Sequence, residues 1–211
     1  MLFKVNMMRV GSTLVFYLFS FHFAHSQSEW MLRKEKDGIF VYDLKTDTSK
    51  FNSIKVETEL AGKVEDLISI LMDVKSHDKW AYGTKSASVL KRVSENEIIF
   101  YKIIDSPSLG VSDRDMVIRM RIINNLANKT IHVESIALPN YIPPKMDLVR
   151  VPFSNEKWII TYVNQKIKID YFLQTDPGGS LSPFLVNLFI TKGPYETFVN
   201  LRELLKNQPP H

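Results

Sequence analysis

The sequence predicts an α+β fold, a long antiparallel meander of strands that two short helices interrupt early and one long apolar helix closes. Three observations carry the prediction. Residues 166–175 alternate, with Ile167, Ile169, Tyr171 and Leu173 on one face against Lys166, Lys168, Asp170 and Gln174, the period of a half-buried strand. From Ser182 the period becomes 3.6, with Phe184, Leu185, Leu188 and Phe189 on one apolar face and Tyr195, Phe198, Leu201 and Leu205 continuing it. Upstream, short alternating segments succeed one another with polar or proline-containing turns between them.

Residues 1–26 differ in kind from the rest. Lys4 and Arg9 precede an apolar run over 10–23, and Ala24-His25-Ser26 places small residues at the two positions that signal cleavage requires. The run is shorter than the roughly 20 residues that span a bilayer. It is read as a cleavable signal peptide, with residues 27–211 as one domain in a secreted or periplasmic location. Removing Lys4 and Arg9 lowers the formal charge from +4 to +2, and no concentrated basic face remains for a nucleic acid. The chain has no cysteine, which excludes disulfides, thiolate catalysis and iron–sulfur clusters and favours a bacterial over a eukaryotic secreted protein.

A short helix is expected over 29–36, followed by a hairpin of two alternating strands, 39–45 and the segment carrying Ile54, Val56, Thr58 and Leu60. Val64, Leu67, Ile68 and Leu71 mark a helix over 62–72, and 74–82 continues as a second helical piece. Further strands are expected at 86–93, 98–104, 115–124, 129–137, 148–153 and 158–163, with the proline-rich segment 139–144 as a stiff loop. Asp176-Pro177-Gly178-Gly179 suits a type II turn, with proline at its second position and glycine at its third. Ser182 and Pro183 then stand at the N-cap and first position of the final helix, which Lys192-Gly193-Pro194 should bend or briefly break.

Catalytic constellations are sparse. His77, His132 and His211 have no metal-ligand spacing, so neither a metal nor a cofactor is expected. His77-Asp78 is read as an exposed helical pair, because adjacent helical residues point in different directions. On the strand 115–124, Met116, Ile118 and Met120 share one face and Val117, Arg119 and Arg121 the other; facing inward, the first set would line an apolar space with two flexible thioethers.

Asp-Pro-Gly-Gly-Ser-Leu at 176–181, with Pro-Phe-Leu-Val-Asn at 183–187 and the segment 194–205, resembles the C-terminal signature of the StAR-related lipid-transfer (START) domains. Ser112-Asp113-Arg114-Asp115-Met116-Val117 resembles the family's Arg-Asp-aromatic-Val strand opening, with Met116 in place of the aromatic residue. Trp80, residues 37–42 and Val149-Arg150 ahead of Trp158 agree as well, and the resemblance covers about residues 29–206. It implies a helix-grip fold of the Bet v 1-like superfamily, a curved antiparallel sheet wrapped around the C-terminal helix.

The resemblance further implies a cavity and its contents. Cavity candidates on the strands are Tyr101, Met116, Ile118, Met120, Ile131 and Val133. Tyr171 and Leu173 on the last strand and Leu188 and Phe189 on the helix complete the set. Some relatives bury an acidic and a basic group on neighbouring strands to hold a polar ligand head; Tyr101 and Met120 stand at the corresponding positions, so an uncharged ligand with at most a hydroxyl is expected. The implied gate is the loop 106–113, hinged at Gly110, together with Gly193 and Pro194. Arg114 and Asp115 are read as a loop-anchoring charged pair. The expected function is non-enzymatic binding of a lipid or sterol-like molecule for carriage, buffering or sensing, by a monomer that makes transient membrane contact. The alternatives are a cyclase- or hydrolase-type enzyme on the same fold and an interaction module that docks through its apolar helix.

Overall fold

The computed structural model describes residues 29–106, 111–125 and 129–207. They form strands β1 (Met31–Lys36), β2 (Ile39–Leu44) and β3 (Ser53–Ala61), then helices α1 (Val64–Met72) and α2 (His77–Trp80) joined by a 3-10 turn. Strands β4 (Thr84–Ser94), β5 (Glu97–Ile104), β6 (Arg114–Asn125), β7 (Thr130–Ala137), β8 (Val149–Arg150), β9 (Phe153–Val163) and β10 (Lys166–Asp176) follow. Helices α3 (Pro183–Phe189) and α4 (Lys192–Lys206) close the chain. All ten strands belong to one curved sheet in the order β1-β2-β3-β10-β9-β7-β6-β5-β4, with β8 parallel to β6. This is the helix-grip fold.

Where a helix is expected over 29–36, residues 31–36 form a strand. Asp37 and Gly38 both take positive φ, 54° and 71°, and so make a two-residue turn that returns β2 onto β1 in antiparallel register. Residues 31–36 offer little apolar face to a core, so pairing with β2 decides their conformation. The strand expected over 148–153 shrinks to β8, and its last residue begins β9.

The final helix is broken in two rather than bent. Pro194 lies in the first turn of α4, where its ring would crowd the carbonyl of Ile190 in a continuous helix, and the break falls at Ile190-Thr191. Ser182 and Pro183 start α3 as expected, although the Ser182 hydroxyl makes no cap bond. At the preceding turn, Asp176 Oδ1 accepts the Gly178 N–H at 2.8 Å. Gly178 has φ 70°, and a Cβ there would lie 2.9 Å from the Arg150 carbonyl oxygen, so glycine is required twice over.

Helix α4 packs against β2, β3 and α2 and buries Tyr195, Phe198, Leu201 and Leu205. Phe198 is fully buried, its ring centroid 5.2 Å from that of Trp158 and 5.4 Å from that of Tyr171. Each such side chain contributes about 1.5–3 kcal/mol through burial. The opposite face of β5 and β6 carries a second, smaller core of Ile99, Tyr101 and Val117, with Leu138 and Ile142 packed on it. Val117 therefore faces away from the main core but not toward solvent.

Arg150 holds this second core in place. Its Nε and Nη2 donate to the two Asp115 carboxylate oxygens at 2.9 and 2.8 Å, and Nη1 donates to the carbonyls of Pro139 and Ile142. Asp115 thus anchors a loop as expected, but through Arg150 rather than Arg114, which donates instead to the Ser112 carbonyl.

Candidate functional site

Alternation along five strands directs one set of side chains into the space between the sheet and the α2–α4 layer. Phe100, Lys102 and Ile104 come from β5, Met116, Ile118 and Met120 from β6, and Ser135 from β7. Strand β9 adds Ser154, Glu156 and Trp158, and β10 adds Tyr171, Leu173 and Thr175. Together with Trp80, Gly193, Pro194 and Thr197 they line a pocket of about 220 Å³.

Of the candidates from sequence, Met116, Ile118, Met120, Tyr171 and Leu173 line this pocket, and Gly193 and Pro194 form part of its wall. Ile131 and Val133 are buried in the core but do not reach the pocket. Leu188 is 58% exposed on α3 and lies away from it. The side chain of Phe189 and the residue Gly110 lie outside the described residues. Tyr101 is on the opposite face of the sheet, where its hydroxyl donates to Asp115 Oδ2 at 2.9 Å. A strand one residue out of phase turns every side chain over, and residues 98–104 are apolar in both phases except for Lys102, so periodicity could not choose.

The premise of the uncharged ligand, that no acidic and basic group share the pocket, is overturned by the same geometry. Lys102 and Glu156 both face into it, from β5 and β9. Burial pushes the Lys102 amine down and the Glu156 carboxyl up; each opposes the other's shift through space, yet neither makes an ion pair among the described residues. Trp158 Nε1–H donates to Glu156 Oε1 at 2.6 Å, which fixes one carboxylate oxygen. Burial, and then the charge of Glu156, drive the Tyr171 phenol well above its ordinary pKa, so it stays protonated and able to donate. Glu156 shares a phase with Trp158 and Ile160, the signal that would have found it had the strand been extended past Trp158.

His77 is also reassigned. It is 3% exposed, edge-on to Trp80 and Phe100 with ring centroids at 4.9 and 5.2 Å, and its Nε2–H donates to the Leu71 carbonyl at 2.9 Å. Burial pushes its pKa from 6.5 to about 4. Because the folded value lies below the unfolded one, the contribution of neutral His77 is full above the unfolded value and is lost as pH falls toward the folded value. Between near-neutral pH and pH ~4.5, wild type should therefore lose about 2 kcal/mol more stability than His77→Phe, a difference urea titrations at the two pH values will measure. Equal losses would sink this reading.

A model of the START domain matches residues 19–211. The chain belongs to the START domain family. It is 30% identical over 175 residues to the uncharacterized protein PA1579 of Pseudomonas aeruginosa, covering 82% of this chain and 85% of that protein. A solved structure described as a STAR-related lipid transfer protein from Xanthomonas axonopodis superposes with TM-score 0.79 at 26% identity, covering 84% of this chain and 99% of that one. Mouse START domain-containing protein 10 is 27% identical over 161 residues, which are 75% of this chain and 55% of that protein. The chain thus spans about half the length of that mammalian relative. In this START domain the Arg-Asp motif opens β6, and the C-terminal signature spans the end of β10, α3 and α4.

Proposed function

We propose that this START domain binds a lipid or similar hydrophobic small molecule non-covalently in its internal pocket, for carriage, buffering or sensing outside the cytoplasm. The observation that carries the reading is the pocket itself, whose wall is mostly apolar with a few converging polar groups, the composition of a small-molecule site. Similarity to the Xanthomonas lipid transfer protein supports it. Phe184, Leu185 and Leu188 stand 72%, 52% and 58% exposed on α3, which supports transient contact with a membrane by a monomer. The apolar run over 10–23 supports secretion or a periplasmic location.

Native mass spectrometry of the protein purified from its host tests both parts. The expected mature chain begins at Gln27 and carries one extractable small molecule. Met120→Trp, which fills the pocket from the middle of β6, should reduce the bound fraction about tenfold while the far-UV spectrum stays unchanged. A mature protein that is empty and takes up neither fluorescent fatty acids nor sterols would overturn the reading. An enzyme of cyclase or hydrolase type is the alternative, and the observation favouring it is the titratable pair Lys102 and Glu156 in the pocket. Chemical change of an offered ligand, lost in Glu156→Gln, would select it.

A further inference from the structure

We propose that Lys102 is the head-group anchor of the pocket and that the ligand is a single-chain amphiphile ending in an anionic oxygen head, a carboxylate or a phosphate monoester. The inference rests on the pocket being a ligand site. Among the described lining residues Lys102 is the one lysine or arginine, and its amine has neither a hydrogen bond nor an ion pair to any described residue. Other lysines of the sheet, such as Lys55 and Lys166, meet carboxylates at 2.9 and 3.0 Å. The amine shares the pocket with the apolar side chains of Phe100, Ile104, Met116 and Ile118, and Glu156 offsets its burial through space without accepting a hydrogen bond from it; an arriving anion would supply that acceptor.

The other side of the pocket is built to complete such a head. Ser135 on β7 lies directly opposite Glu156 on β9, and Ser154 is two residues along the same face. Tyr171, next to Leu173 on β10, adds a phenol that remains a donor. Hydroxyls and a phenol can all donate to the oxygens of one small head. Glu156 would repel an anion while ionised, but its carboxyl is already shifted toward the neutral form by burial, and in that form it donates as well. The apolar remainder, from Met116, Ile118 and Met120 to Trp80, then takes the tail. A volume of about 220 Å³ suits one chain; it is below the roughly 300 Å³ at which pockets for drug-sized ligands begin.

Titration calorimetry of the full mature protein with dodecanoate, dodecyl phosphate, dodecanol and dodecylammonium separates the possibilities. Either anion should bind at least about tenfold more tightly than dodecanol, as a charge-assisted contact requires. The tighter of the two identifies the head. Lys102→Met should remove that preference and leave dodecanol affinity within about threefold, which also reports an intact pocket. If the variant keeps the preference, or if dodecanol or dodecylammonium binds wild type as tightly as the anions, the anchor assignment is wrong. If none of the four binds wild type, the pocket reading fails and the anchor with it.

Discussion

Replacing Arg150 by methionine is expected to destabilise the domain by about 3–5 kcal/mol, the cost of leaving a buried charge without its partner. Asp115 is fully buried at the start of β6, and Arg150 supplies two of the three hydrogen bonds its carboxylate accepts from side chains, the third coming from Tyr101. Burial works against the carboxylate, but the bonds from Arg150 and Tyr101 outweigh it and hold the group below its ordinary pKa. Arg150→Met leaves that charge with the Tyr101 hydroxyl as its remaining side-chain donor among the described residues, and it frees the Pro139 and Ile142 carbonyls, so the loop over 139–144 should loosen too. Denaturant midpoints measure the loss. The double variant Arg150→Met with Asp115→Leu should recover much of it, since removing both charges costs less than stranding one. Tyr101→Phe should cost only about 1 kcal/mol. A loss below about 1 kcal/mol for Arg150→Met would mean that the pair is not what secures the loop.

Phe198→Ala should cost a comparable amount, about 3–5 kcal/mol, for a different reason. The ring is fully buried between α4 and the sheet, within 5.4 Å of both Trp158 and Tyr171, and the space it leaves cannot be refilled without moving the helix. Trp158 and Tyr171 are also pocket residues, so the void would lie directly behind the pocket wall. Two readouts follow. Thermal and urea denaturation should show the destabilisation, and the variant should accept a bulkier tail than wild type, as competition with branched and aromatic amphiphiles will show. Stability lost without any change in ligand size preference would separate the aromatic cluster from the pocket.

Much of this fold was legible because strand and helix periods are local. The alternation of 166–175 and of Ile54, Val56, Thr58 and Leu60 identified the faces that β10 and β3 bury, and the stripe Tyr195, Phe198, Leu201, Leu205 identified the buried face of α4. Asp176-Pro177-Gly178-Gly179 announced its turn through residue types with few other uses. Where a segment had no period, the reading failed. Residues 31–36 became a strand because β2 was available as a partner, and Tyr101 turned outward because both phases of β5 are apolar enough to be buried. His77 was misread for a related reason. A single histidine carries no periodic signal, and its burial depends on Trp80 and Phe100, the latter from another element.

The sequence by itself determined the fold class, the order of the elements after the first, most of their faces and the apolar character of the Met116, Ile118 and Met120 strip, since these follow from backbone period and side-chain type within a few residues. Only the tertiary structure decided that Lys102 and Glu156 share one pocket and that Arg150 rather than Arg114 holds Asp115. Lys102 and Glu156 are 54 residues apart in sequence and lie on strands separated by two others, and Arg150 reaches back 35 residues. Such meetings depend on sheet order and on which face each strand turns inward, and those are settled by burying the whole set of apolar faces at once.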